Sequence, residues 1–330
     1  MKALAIENYG KKPNFLDFPM PKMNNDEVLV EIYAASINPL DTKIRKGELK
    51  LLLKYKMPLI LGNDFSGKIV EVGTSVTKFK VGDEVYGRPR ANKMGTFTEY
   101  LSVNQEDIAL KPKNLSFEEA ASIPLVGLTS YQALHDILRI EKGHKILIHA
   151  GSGGVGTFAI QLAKHMGAFV ATTASDGSDL VKSLGADEVI NYKTEKFEHS
   201  IRDYDAVFDT IGGATLERSF VTLKKGGKIV SISGIPNGRF AKENGFSSLK
   251  KTLFSIASYK FTKLEKKHNV QYTFLFMKHS GEQLKILTEM LESEVIKPTL
   301  DKVFIFEDAK KALEYAEAGR AKGKIVLKLK

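Results

Sequence analysis

The chain contains no cysteine. That excludes disulfides, a thiolate nucleophile and any zinc site that depends on thiolate ligands. It also lacks an apolar run approaching the roughly 20 residues that a membrane-spanning helix needs. The opening residues, Met1-Lys2-Ala3-Leu4-Ala5-Ile6-Glu7, reach an acidic side chain too early for a secretory leader and read as a first strand. No internal repeat or low-complexity tract is present. The expectation is a cytoplasmic protein with no integral membrane segment.

Acidic residues are in deficit, 39 against 49 Lys and Arg, for a formal charge of +10. An excess of that size raises nucleic acid as a partner. Its distribution argues otherwise. Residues 238–268 hold eight Lys/Arg and two acids, so +6 sits in one segment and the other residues together carry +4. Within that segment Phe246, Leu249, Leu253, Ile256 and Ala257 recur near helical spacing, with Lys250, Lys251 and Lys260 interspersed. A basic amphipathic helix can lie on an anionic surface or cover part of its own protein. The expectation is no nucleic-acid partner.

A length of 330 residues suggests about two domains. The first third is strand-rich. Residues 27–34 alternate as a half-buried strand should, and turn signals such as Val81-Gly82-Asp83 separate strands at 68–72, 83–86 and 97–103. Asn38-Pro39-Leu40-Asp41 opens a short helix with Asn38 at the N-cap and Pro39 at the first helical position. From about residue 123 the rhythm becomes strand–helix alternation. Strands are expected at 145–150, 168–173, 187–190, 205–208, 227–232 and 270–277, and helices at 124–140, 154–166, 178–184 and 213–223. That pattern predicts a parallel, doubly wound sheet. A helix near 281–293, a strand near 303–306, a helix near 307–319 and a strand at 323–329 close the chain. The fold class is therefore α/β. A β-rich domain over 1–122 and 279–330 is interrupted by a doubly wound domain over 123–278.

The most informative stretch is Ala150-Gly151-Ser152-Gly153-Gly154-Val155-Gly156, which contains G-x-G-x-x-G. An apolar run precedes it and a helical pattern follows, the setting a dinucleotide needs. Gly151 allows the tight turn, Gly153 lets backbone approach a pyrophosphate, and Gly156 lets helix and strand pack closely. Free N–H groups at the helix start favour the phosphates. An NAD-binding fold of this type carries an acid about 20 residues past the turn, on the ribose 2′-OH. Here Ser175 stands near that position and can bond a 2′-phosphate without repelling it. Asp176, one place on, either caps the next helix or is itself the specificity residue. Ile211-Gly212-Gly213 and Ser233-Gly234 fall at later strand ends, where open α/β sheets bind ligands. Their backbone groups suit a carboxamide. The expected cofactor is NADPH.

Other segments recur in a recognisable order: Gly62-Asn63-Asp64-Phe65-Ser66-Gly67, Val81-Gly82-Asp83-Glu84-Val85-Tyr86-Gly87, Gly95-Thr96-Phe97-Thr98-Glu99-Tyr100, Ala120 to Thr129, and Gly323-Lys324-Ile325-Val326-Leu327. With the glycine turn they resemble the medium-chain dehydrogenase/reductase superfamily. The zinc-independent quinone oxidoreductase branch, with the plant alkenal and enone reductases, is the most similar. The resemblance covers nearly the whole chain and is weakest from about 236 to 270. It implies a GroES-like catalytic domain, a Rossmann cofactor domain, an active-site cleft between them and hydride transfer from a nicotinamide. It also places Asn38 near the nicotinamide ribose and substrate carbonyl, Thr129 facing the nicotinamide, Asp64 in support of the cleft, and Lys324 near the cofactor. Lys182 and Asn191-Tyr192-Lys193 match positions used around the 2′-phosphate.

Each of these residues also has a plain structural explanation. Asn38 and Asp41 suit a helix start. Thr129 suits a hydroxyl bonded back to the preceding helical turn. Lys324 suits a solvated strand end. Tyr55 and Tyr86 either line the substrate site and donate a proton or simply pack.

Zinc alcohol dehydrogenases of the superfamily use a Cys, a His from a G-H-E segment and a further Cys or acid. Here that segment reads Gly62-Asn63-Asp64, and no pair of the seven histidines has a metal-ligand spacing such as H-E-x-x-H. No metal is expected. Without Lewis-acid help the favoured acceptor is one already activated, a quinone or an α,β-unsaturated carbonyl. The alternative is a non-catalytic NADPH-binding protein with a redox-sensing or structural role. The strand-like run Val270–Phe276 could pair edge to edge, and a homodimer is expected.

Overall fold

The computed structural model describes all 330 residues. They divide into two compact units, Met1–Leu128 with Lys278–Lys330, and Thr129–Met277. The sequence rhythm changes at residue 123, whereas this division falls a little later, inside the helix Pro124–Tyr131.

In the first unit the chain runs through β1 (Lys2–Ile6), β2 (Asn14–Asp17), β3 (Glu27–Ile37), α1 (Pro39–Lys46), β4 (Leu59–Ile60) and β5 (Asp64–Val72). It continues through β6 (Glu84–Gly87), β7 (Tyr100–Asn104), β8 (Ile108–Leu110), α2 (Phe117–Ala121) and α3 (Pro124–Tyr131). β2, β1 and β4 make a small antiparallel sheet. A seven-stranded sheet runs β15-β16-β3-β5-β6-β8, with β7 also on β3. Its strands β15 (Leu300–Ile305) and β16 (Lys324–Lys328) come from the end of the chain.

β3 departs from its half-buried reading. Val28, Val30, Ile32 and Ala34 are fully buried at alternate positions as expected, but the flanking and intervening Glu27, Leu29 and Ala35 are buried too. The reason is its central place between β16 and β5, and the cover that α2 supplies where Phe117 stacks on Tyr33 at 4.4 Å. A strand covered on both sides loses its alternation.

The second unit holds β9 (Lys145–Ile148), α4 (Gly154–His165), β10 (Phe169–Ala174), α5 (Ser178–Ser183), β11 (Glu188–Asn191) and α6 (Phe197–Ser200). Then come β12 (Tyr204–Asp209), α7 (Gly213–Ser219), β13 (Leu223–Ser231), α8 (Gly238–Glu243), α9 (Ser248–Ala257), α10 (Tyr259–His268) and β14 (Gln271–Phe274). The sheet is parallel throughout in the order β11-β10-β9-β12-β13-β14. That is the Rossmann order, and its direction reverses between β9 and β12. Ile146, Leu147, Ile148, Ala206, Val207 and Phe208 line the two central strands and are buried, as strands covered on both faces require.

The basic segment folds as α8, α9 and α10. No residue of α9 is buried, and Leu249, Leu253 and Ile256 are exposed along it. Two more helices, α11 (Gly281–Glu292) and α12 (Ala309–Glu317), complete the first unit. No helix is long and apolar enough to cross a membrane.

One histidine is built into the second unit's core. His149 follows β9, is fully buried, bonds Ser219 Oγ at 2.8 Å and meets the Phe197 ring edge-on. Burial, and after it the charge of Arg218, pushes its pKa down to about 3. The unfolded chain therefore takes up this proton first. The stability His149 contributes is present above its ordinary value near 6.5 and is lost as pH falls toward 3. Between pH 7 and pH 5 this side chain alone should cost about 2 kcal/mol. In urea unfolding, His149→Gln should lose less stability than the parent over that interval. Equal losses in the two proteins would show that His149 does not set this acid sensitivity.

Candidate active site

The first unit gathers a buried polar cluster around the start of β5. Asp64 is fully buried. Its Oδ2 accepts from Ser36 Oγ at 2.7 Å and from Asn38 Nδ2 at 2.8 Å, and its Oδ1 accepts from the Leu125 N–H at 2.8 Å. Lys324 Nζ lies 3.4 Å from Asp64 Oδ2 and donates to Asn38 Oδ1 and, at 3.3 Å, to the Ile37 carbonyl. Asp41 receives the Asn38 N–H at 2.7 Å and Asn63 Nδ2 at 2.7 Å. Burial, reinforced by the nearby Asp64 charge, raises the Asp41 pKa to about 7 against the pull of these bonds.

The structure bears on four of the residues singled out from the sequence. Asn38 occupies the N-cap of α1, but its side chain turns away to Asp64 and Lys324, and Asp41 bonds the Asn38 N–H instead. Lys324 is no solvated strand-end lysine: it is 5% exposed, and burial lowers its pKa while Asp64 supports its charge. Tyr86 is fully buried and donates to the Leu284 carbonyl at 2.8 Å, a structural use of its hydroxyl. Tyr55 is half-buried, its hydroxyl donates to the Ala91 carbonyl at 2.8 Å, and burial pushes its phenol pKa up. It is a poor acid as placed.

In the second unit the glycine turn joins β9 to α4. The residue in left-handed conformation is Ala150, with φ 52°, and Gly151 is not. Gly151 is required by packing instead, because a Cβ there would stand 2.1 Å from Thr172 Oγ1. At Gly156 a Cβ would stand 2.4 Å from the Ala150 carbonyl oxygen, so helix and turn approach too closely for a side chain. Gly153 is the N-cap of α4, and a Cβ there would meet only the Ala150 oxygen at 3.4 Å. The first-turn N–H groups of Gly154, Val155 and Gly156 have no carbonyl four residues back to bond. With Ser152 they form a cradle that fits a pyrophosphate, whose charge the helix N-terminus favours.

At the end of β10, Ser175 Oγ donates to the exposed Tyr192 hydroxyl at 2.9 Å. Asp176 does not cap α5. Gly177 holds the N-cap, and the Asp176 carboxylate pairs with Lys193 at 2.9 Å. Lys182 is exposed in the last turn of α5.

The later strand ends are more committed than the sequence suggests. Asp209, fully buried at the end of β12, accepts the Ile211 N–H at 3.1 Å, the Gly212 N–H at 3.0 Å and Ser231 Oγ at 2.5 Å. The Ser233 N–H bonds Ser231 Oγ at 3.2 Å. These three N–H groups are therefore used internally. At Gly234 a Cβ would stand 2.3 Å from the Tyr272 hydroxyl. Thr129 is buried in α3, and its hydroxyl makes no bond to the preceding turn.

Residues 24–113 match the family described as "Alcohol dehydrogenase GroES-like domain", and residues 184–327 match "Zinc-binding dehydrogenase". The chain is 36% identical to a 2-methylene-furan-3-one reductase of Solanum lycopersicum, over 99% of this chain and 79% of that protein. It is 34% identical to a chloroplastic NADPH-dependent alkenal/one oxidoreductase of Arabidopsis thaliana, again over 99% and 79%. The quinone oxidoreductase structure from Coxiella burnetii superposes with a TM-score of 0.85 at 32% identity, covering 100% of this chain and 99% of that one. The chain is a medium-chain dehydrogenase/reductase.

Membership of the superfamily makes this chain an oxidoreductase enzyme that uses a nicotinamide cofactor, and the non-catalytic reading is set aside. The zinc in one matched family's description does not carry over to the donor set. Asn63, with its amide on Asp41, occupies the G-H-E position, and no group of three or more His, Cys, Asp or Glu side chains is placed to hold a metal ion.

Sequence reasoning missed Ser36, Asn63, Arg88 and Asp209. The signal for Arg88 was a charged residue directly after the apolar strand Glu84–Gly87. For Asp209 it was an acid closing an otherwise apolar strand.

The glycines divide by substitution. Gly153→Asp leaves room for its Cβ but sets a carboxylate at the helix N-terminus, so it should fold normally and lose affinity for the nicotinamide dinucleotide by about tenfold or more. Gly156→Ala should deform the turn and cost stability as well. Isothermal titration with thermal unfolding separates the two, and unchanged affinity in Gly153→Asp would move the cofactor elsewhere.

Proposed function

We propose that this enzyme is an NADPH-dependent, zinc-independent reductase of quinones or α,β-unsaturated carbonyls. The observation that carries the reading is the group at the end of β10. No carboxylate is left unpaired at the 2′ position. Ser175 and Tyr192 present hydroxyls, and Lys193 pairs with Asp176, so the acid at this strand end carries no uncompensated charge. Such a group accepts a 2′-phosphate, whereas an unpaired acid there would repel it.

When bound, the nicotinamide supplies a hydride. The residues of the second unit hold the dinucleotide: Gly153 to Gly156 take the pyrophosphate, with Ser175, Lys182 and Tyr192 around the 2′-phosphate. Ile211, Gly212, Ser233 and Gly234 shape the turns at the carboxyl ends of β12 and β13. In the first unit Asn38, Asp64 and Lys324 form a buried polar cluster that supports the acceptor's place, with Tyr55 lining it; Thr129, the first residue of the second unit, faces the nicotinamide. Asp41, with its pKa near 7, can hold a proton at neutral pH. With no Lewis acid in the donor set, the acceptor must already be electrophilic, which favours quinones and enones. The reading includes a cytoplasmic location and a homodimer joined along β14, the outermost strand of its sheet.

The test is cofactor oxidation across quinones, alkenals and cyclic enones. Turnover with at least one class is expected, and kcat/KM should favour NADPH over NADH by about tenfold or more, which is about 1.4 kcal/mol. Lys193→Ala should lower that preference chiefly through KM for NADPH. Equal or better kcat/KM with NADH would overturn the cofactor assignment.

A further inference from the structure

Arg88 is a buried cation whose hydrogen-bonding capacity the fold leaves unspent. It follows β6 directly, where Gly87 pairs with Phe65, so continuing that register sets it across from Asp64. The residue is 2% exposed, and its Nε–H is buried without an acceptor. A guanidinium carries five N–H donors, accepts nothing and keeps its charge in proteins. Leaving such a group inside a fold without a direct partner is costly.

The cost is not relieved by its neighbours, because each is already committed. Asp64, Asp107 and Asp41 supply the negative field at Arg88, with the Tyr55 phenol close by. Asp64 takes Ser36, Asn38, Lys324 and the Leu125 N–H. Asp41 takes the Asn38 N–H and Asn63. Asp107 is held by both Arg90 Nε and Arg90 Nη2, each at 2.9 Å. The Tyr55 hydroxyl is spent on the Ala91 carbonyl. The fold thus keeps Arg88 charged through carboxylates at a distance while none of them bonds it. Two further buried polar atoms lie without partners on adjoining segments, Asn63 Oδ1 and Thr96 Oγ1. The segments are joined where the Gly95 N–H bonds the Gly62 carbonyl at 3.0 Å.

We infer that Arg88 binds the carbonyl or quinone oxygen of the acceptor and holds the negative charge that collects there during reduction. The inference rests on the reductase reading above and names the group that recognises the substrate. In the step it serves, hydride from the reduced nicotinamide forms a C–H bond at the carbon β to the carbonyl. The C=C π pair shifts to give the enolate, and the carbonyl π pair ends on oxygen as O⁻. A proton from solvent then completes the α carbon. The nicotinamide is oxidised by two electrons and the enone is reduced by two; in a quinone the same pair ends on a ring oxygen. A fixed cation in a dry site favours the full oxyanion over the neutral carbonyl, which is what lowers the barrier.

Two measurements test this. In steady-state kinetics, Arg88→Met should lower kcat by about 100-fold or more while NADPH affinity stays within about twofold. Added ethylguanidinium should restore at least about tenfold of the activity lost in Arg88→Ala, because a free guanidinium can refill that position. Wild-type kcat in Arg88→Met, or loss without rescue in Arg88→Ala, would overturn the inference. The second measurement needs no turnover. p-Nitrophenol, an enolate mimic, is titrated into the enzyme with NADP⁺ at a pH where the free phenol is mostly neutral. The phenolate absorption band should appear on binding to the wild type and vanish in Arg88→Met. A wild type that leaves the phenol neutral contradicts the role of Arg88. A wild type that reduces no quinone or enone, yet ionises the phenol through Arg88, upholds the oxyanion site and overturns the reductase reading instead.

Discussion

The carboxylate of Asp64 is the constraint on which the first unit's site depends. A fully buried charge is tolerated only when donors replace its lost hydration. Asp64 collects them from four places: a β3 hydroxyl, the amide of Asn38 just beyond β3, the Leu125 N–H of α3 and the Lys324 ammonium of β16. These groups come from three stretches far apart in sequence, so one side chain fixes where strand end, helix start and final strand meet. The arrangement also explains its neighbours. The Asn38 side chain bonds Asp64 and Lys324, while the Asp41 carboxylate accepts the Asn38 N–H at the start of α1. Asp41, buried beside a carboxylate that stays engaged, is the one pushed toward neutrality.

The second unit depends on a different economy, that of space. Gly151 and Gly156 are needed because backbone and the Thr172 hydroxyl come too close for any Cβ, while Gly153 leaves an open approach at the helix start. Asp209 then ties the turn after β12 to β13 through Ile211, Gly212 and Ser231. A tight glycine turn open at the helix start and a rigid turn at a neighbouring strand end result from close packing.

What could be read from the chain beforehand follows the range of the forces involved. β9 to β14 and the helices α4, α5 and α7 were legible, since hydrophobic period and glycine punctuation are local, whereas α6, α8 and α10 were not marked. The short strands β2, β4 and β8 were not legible either, because each is defined by pairing with a strand elsewhere in the chain. Asn38, Asp64 and Lys324 were marked by resemblance to the family, but their mutual bonding was not, since pairing across 260 residues of sequence leaves no local pattern. Ala150 and Asp176 show the same limit at short range. The left-handed turn residue was expected at a glycine and fell on alanine, and an acid well placed to cap a helix was drawn off by Lys193.

The most direct test of Asp64 as organiser is a double-mutant cycle of Asp64→Asn and Lys324→Met, read by urea unfolding. Each single change should destabilise by about 3–5 kcal/mol, because each strands a buried partner. The double mutant should cost clearly less than the two together. Costs that add within about 0.5 kcal/mol would mean that Asp64 and Lys324 act independently and would contradict the organising role assigned to Asp64.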